Sequence, residues 1–187
     1  IMTAVGMAIE DSGFTVDHLG LLPTPALTAF AMSRHRPSIM VTGSHIPFDR
    51  NGIKFNKGSG EILKADEPGI LHAVRRRRAS EYGRTPEHSP FDDHGMVKPG
   101  LQRGLPPAHP YARREYIQRY LDFFPANALQ GLRIVFYEHS AVGRELMVEI
   151  LTALGAKVIP MGRANHFVPV DSEAITHRDL DVLQTLA

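Results

Sequence analysis

Apolar residues recur along this chain with two spacings, a helical one and a short continuous one bounded by turn residues. Residues 1 to about 12 read as an amphipathic helix that starts without a capping residue and is closed by Gly13. Phe14-Thr15-Val16 reads as a short strand. Leu19 to Leu22 lead into Pro23-Thr24-Pro25, where Thr24 is placed to cap a helix from about Ala26 to Ser33. Ser38-Ile39-Met40-Val41 reads as a buried strand that stops at Thr42-Gly43. Asn51-Gly52 is a tight-turn signal, after which Ile53-Lys54-Phe55 resumes strand alternation. Residues 80–110, rich in Gly, Pro, His and Asp, show no sustained period. Helical spacing returns over Tyr111–Phe124 and ends at Pro125 and Asn127. This helix is expected to bridge two domains, residues 1–110 and 111–187. Gly131–Tyr137 then predicts a strand, about Val142–Leu154 a helix, Gly155–Ile159 a strand, and about 177–187 a last helix. Such an order describes an α/β protein with mixed, mostly parallel sheets and helices on both faces, its β-turn-α-β unit crossing over right-handed.

Composition narrows the picture. With 43% hydrophobic and 22% charged residues, the 187-residue chain falls in the globular range. The net charge of +1 gives no global reason for nucleic-acid or membrane binding. The absence of cysteine excludes disulfides, thiolate metal sites and thiol catalysis, and suits a cytoplasmic protein. No apolar run approaches the roughly 20 residues that span a bilayer, and the first residues lack the pattern of a signal peptide. A helix already under way at residue 1 and another running into Ala187 suggest an excerpt of a longer protein.

The candidate chemistry lies just past the Ser38–Val41 strand. Ser44 and His45 follow its carboxyl end, where α/β sheets bind ligands. Pro47 keeps the segment from continuing as a central strand, and the fold-back at Asn51-Gly52 brings Lys54 toward the pair. A hydroxyl can carry a phosphoryl group, an ammonium offsets its charge, and an imidazole hydrogen-bonds or moves protons. Arg50 and Asn51, on the return of the same loop, are assigned to substrate binding.

The series Thr42-x-Ser44-His45-x-Pro47 followed by Asn51-Gly52-x-Lys54 closely resembles the active-site loop of the α-D-phosphohexomutases, the phosphoglucomutase and phosphomannomutase family. The resemblance implies that Ser44 is the phosphoserine, with His45 its neighbouring histidine and Lys54 the active-site lysine. The sequence differs from the family at Ile46, where Asn is usual, and at Gly43, where Ala is common. Leu19–Pro25 resembles the family's approach to its second helix and Gly60–Lys64 its return strand. Asp66–Ile70 resembles the start of the next helix, expected from about Glu67 to Arg78 with acids and bases placed to suit its dipole. Phe167–Ile175 resembles the approach to a third domain. The resemblance thus implies two adjacent α/β layers of the phosphohexomutase type, most of domain 1 and most of domain 2. It implies Mg²⁺, held through the phosphate on Ser44 by ligands outside this chain, and a hexose 1,6-bisphosphate intermediate. The partners implied are mannose 6-phosphate and 1-phosphate or their glucose equivalents.

Three other motifs carry a structural reading. Arg75-Arg76-Arg77-Arg78 cannot share one helix face and has no interleaved aromatics, so it reads as a solvated helix end. Asp92-Asp93-His94, with His88 and His109, matches no metal-ligand spacing and reads as a polar loop or short β-excursion. His139-Ser140 lacks the G-x-S-x-G elbow and G-x-G-x-x-G, so its turn reads as mainly structural, with an anion at the following helix start left open. Two rivals to the mutase expectation are a non-catalytic two-domain module binding a sugar phosphate or a protein, and a serine phosphatase or hydrolase. With only Ser44 and Lys54 of the expected machinery, the chain alone is expected to show little turnover.

Overall fold

The computed structural model describes residues 1–43, 50–168 and 177–186. Helix α1 (Met2–Asp11) ends where Gly13 turns with φ +83°. It is followed by α2 (Thr24–Met32), strand β1 (Ser38–Thr42), strand β2 (Gly52–Lys57) and the short β3 (Gly60–Glu61). A 3₁₀ turn (Lys64–Asp66) leads into α3 (Glu67–Tyr82). Then come α4 (Tyr111–Phe123), β4 (Arg133–Tyr137), α5 (Arg144–Ala153), β5 (Lys157–Met161) and α6 (His177–Leu186).

The mixed α/β architecture agrees with the sequence pattern, with the two pairings divided between two sheets. β1, β2 and β3 form an antiparallel sheet, and β4 and β5 pair in parallel around α5. The parallel majority expected for the core is thus confined to the second sheet among the described residues. The short β1–β2 and β2–β3 connections return the chain on itself and permit only antiparallel neighbours.

Residues 14–16 form no strand. Their segment is clipped instead to residues 105–109. Pro106 O lies 2.8 Å from His18 Nδ1, the His109 amide donates to His18 O at 3.1 Å, and His109 Nε2 lies 2.5 Å from Asp17 Oδ1. These bonds satisfy backbone groups that a ladder would otherwise take. Thr24 also departs from its expected part: Pro23 is the cap residue and Thr24 begins the helix, with no side-chain cap bond. Helix α3 runs one turn beyond Arg78, because Glu81 is held by Arg77 and Arg84, each at 3.2 Å.

The core lies where three helices meet. Leu22, Ala26 and Phe30 from α2 and its approach pack with Ala112, Tyr116 and Ile117 of α4 and with Leu146, Ile150 and Leu154 of α5 and its end. Helix α4 therefore touches both halves of the chain, as its apolar stripe suggests. Tyr116 and Tyr120 satisfy each other inside this layer, with their hydroxyls 2.9 Å apart. Burial first, then the Tyr120 contact, pushes the Tyr116 phenol up to about 12.

Candidate functional site

The β1–β2 hairpin builds the site. Its register pairs Ser38 with Asn56, Met40 with Lys54 and Thr42 with Gly52. Directly opposed residues of an antiparallel pair share a face, so Lys54 lies on the face of Ser38 and Asn56. That face is tied to α2: the Asn56 amide donates to Ser38 Oγ at 3.3 Å and to Thr28 Oγ1 at 3.4 Å. The opposite face carries Ile39, Val41, Ile53 and Phe55. A one-residue slip would exchange the two faces, so this brace defends the register.

The hairpin closes at Thr42 and Gly52, and the chain between them carries the candidate residues. Ser44 and His45 lie outside the described residues. Arg50 and Asn51 stand exposed on the return from the loop, immediately before β2. Lys54 is exposed on β2, two residues from the hairpin's closing pair, opposite the middle of β1. The register therefore leaves Arg50 and Asn51 at the end of the sheet where residues 43–51 connect β1 to β2, with Lys54 two pairs further in, opposite Met40.

Sequence reasoning missed the parts that hold this hairpin in place. Asn56 braces it through side-chain bonds to α2, a role no local motif announces. Lys57 pairs with Asp66 at 2.6 Å, and the Leu63 amide donates to the same carboxylate at 2.8 Å. The Lys57 ammonium, then the amide, hold the Asp66 carboxyl below its usual range. Gly58 lets the β2–β3 turn pass the end of α2, since a Cβ there would lie 2.3 Å from His35 O. The residues 51–58 hint at this only through the glycine.

The remaining candidate clusters resolve into structure. Asp92 Oδ1 accepts from the His94 and Met96 amides, both at 2.9 Å, which makes Asp92 a turn former beside the isolated Phe91–Val97 bridge. Among the described residues, no three His, Asp or Glu side chains gather to hold a metal ion. Arg78 lies over the Tyr82 ring at 5.7 Å, and α3 buries no residue. The His139 carbonyl and the Ser140 side chain meet the chain leaving β5. Val168 N–H donates to Ser140 Oγ at 2.9 Å. Burial, and then the Arg144 charge, lower the basicity of the His139 imidazole.

Comparison with known proteins bears on the family. Residues 1–81 match the model of phosphoglucomutase/phosphomannomutase, alpha/beta/alpha domain I. A phosphomannomutase of Salmonella muenchen is 39% identical over 176 residues, which cover 94% of this chain and 32% of that protein. A phosphomannomutase of Sinorhizobium fredii is 40% identical over 169 residues, 90% of this chain and 33% of that protein. A phosphoglucosamine mutase of Dinoroseobacter shibae is 32% identical over 167 residues, 86% of this chain and 33% of that protein. The chain spans about a third of the length of the curated relatives it matches. With its domain I in residues 1–81 and its further likeness running through the second sheet, the chain belongs to the phosphoglucomutase/phosphomannomutase family.

Proposed function

We propose that this chain is part of an isomerase of the phosphomannomutase type, which moves a phosphoryl group between C6 and C1 of a hexose phosphate. The observation that carries the reading is the hairpin register. It returns the chain antiparallel to β1, so that Arg50 and Asn51 precede the closing Thr42–Gly52 pair and Lys54 follows two pairs in, on the same hairpin as the serine loop. The likeness to two phosphomannomutases at about 40% identity supports the sugar class.

In this reading phospho-Ser44 gives its phosphoryl group to the free hydroxyl of the bound hexose phosphate. The Oγ–P bond breaks as the sugar O–P bond forms, and His45 is assigned the transfer of the sugar hydroxyl proton to the departing Ser44 oxygen. The product is a hexose 1,6-bisphosphate. After it turns in the site, its other phosphoryl group returns to Ser44, and the isomerised monophosphate departs. Lys54 offsets phosphate charge, and Arg50 and Asn51 bind substrate. Mg²⁺, when bound, supplies further charge neutralisation; its ligands besides the phosphate belong to the longer protein. Residues 1–110 and 111–187 serve as the first two domains of that protein, in the cytoplasm.

The test is phosphate on the protein. After incubation of the full-length protein with a hexose 1,6-bisphosphate, intact mass should show one added phosphate, absent in Ser44→Ala. Retained label in Ser44→Ala would remove the covalent role of this serine. Release of phosphate to water without isomerised sugar would favour a phosphatase, and sugar-phosphate binding without label a non-catalytic module. The 187-residue chain alone should not interconvert mannose 6-phosphate and mannose 1-phosphate at enzymatic rates.

A further inference from the structure

We propose that the turn from Glu138 to Arg144 is a latch in which Ser140 and Arg144 are positioning residues: they fix the course of the chain as it leaves β5, over residues 162–168. The latch rests on contacts; its value to the reaction rests on the mutase reading above.

Several ties converge on this short segment. The His139 carbonyl accepts from the Ala164 amide at 2.9 Å and from Arg144 Nη1 at 3.0 Å. The same Arg144 nitrogen donates to Ala164 O at 2.8 Å. Ser140 Oγ accepts from the Val168 amide at 2.9 Å and donates to Val168 O at 3.4 Å. Arg163 Nη1 lies 3.4 Å from Oε1 of the buried Glu138, and its other terminal nitrogen pairs with Glu145. His139 sits at φ +33°, in the left-handed region that few non-glycine residues adopt. That conformation aims its carbonyl at both donors, and such backbone strain persists only where surroundings over-determine it.

These contacts also define what the His-Ser pair does not do. The Ser140 hydroxyl spends its proton and one lone pair on Val168, so it is not poised as a nucleophile. Residues 162–168 have no strand partner, and the latch supplies the bonds a ladder would have given them.

The latch also touches the first half of the chain. Gly143 faces Pro23, where an added Cβ would stand at ordinary van der Waals distance, 3.4 Å, from the proline ring. Pro23 opens α2, and α2 supports β1 and, through Thr28, the hairpin that carries the Ser44 loop. A series of contacts thus joins that hairpin to residues 162–168, which lead toward the rest of the longer protein. Spatial continuity becomes coupling only if it moves a rate.

The experiment uses the full-length protein with Ser140→Ala, Arg144→Met and the conservative Ser140→Thr. Amide exchange at Val168 should quicken about tenfold or more in Ser140→Ala, and at Ala164 in Arg144→Met. In both, kcat should fall about tenfold with KM within about twofold, while Ser140→Thr stays near the parent protein. Faster exchange with unchanged kcat would reduce the latch to local packing and overturn the positioning role. Unchanged exchange would overturn the latch itself. Should Arg144→Met fail to fold, Ser140→Ala, which removes only the Val168 ties, carries the test. If the parent protein shows no turnover, or Ser44→Ala keeps it, the mutase reading fails and the positioning role with it, while exchange still decides the latch.

Discussion

His139 shows how much one residue's surroundings change its behaviour. Burial beside Arg144 lowers its proton affinity in the folded chain, while the unfolded chain keeps the ordinary imidazole value near 6.5. The unfolded state therefore takes up this proton first as pH falls. The stability it forfeits is intact above that value and drains away as pH drops toward the lowered folded value. In urea titrations from about pH 7 to pH 5, His139→Asn, which tolerates a positive φ, should flatten part of this decline. An unaltered slope would assign the proton uptake to other histidines. Asp66 has the opposite sign. Its lowered carboxyl contributes stability at neutral pH that is lost as pH falls through the carboxylate range, so the difference between the parent and Asp66→Asn should vanish in acid. Gly58 makes a steric prediction. Gly58→Ala drives a methyl into the His35 carbonyl and should cost about 1–3 kcal/mol in denaturant unfolding, the range of overpacked sites.

Among the elements, the helices were the more legible. The stripe over 111–124 announced α4, and Gly13 announced the end of α1. The misses have different causes. Phe14–Val16 has strand residues, yet no strand pairs with it, and the chain just after it is tied at Asp17 and His18 to Pro106 and His109. Distant clips of that kind leave no local pattern. Thr24 has the right side chain for a cap, but Pro23, extended at φ −65° and ψ 146°, already sets the helix entry. The antiparallel return that carries Lys54 was readable, but the tight turn expected at Asn51-Gly52 was not found, since Gly52 already lies in β2 opposite Thr42. The brace from Asn56 to Thr28 spans 28 residues and was not.

The whole molecule is held by a core that belongs to neither half alone. Ile150 is 2% exposed and packs in a cluster that includes Phe30 and Ile117. Ile150→Ala should therefore cost about 2–5 kcal/mol, and the loss should register in probes of both halves. Fluorescence or exchange reporters near β1 and near β4 should move together in one transition. If Ile150→Ala shifted only the β4 reporter, residues 1–110 and 111–187 would be energetically separate units. The same core places Pro23 against Gly143 and so gives the turn after β4 a path to the Ser44 hairpin.

The amino-acid order by itself determined the family and the α/β class, and it supplied the candidates proposed for phosphoryl transfer. Those properties depend on residue type, turn chemistry and spacing within one or two elements, and such information is local. Only the tertiary structure decided which pairs of distant segments meet. It tied Asn56 to Thr28 and Lys57 to Asp66. It put the core at the junction of α2, α4 and α5, and it turned His139-Ser140 from a suggestive dipeptide into the anchor of residues 162–168. Contacts of this kind depend on the packing of whole elements, and a hydrogen bond between residues 28 apart has no signature in the order of either partner's neighbours.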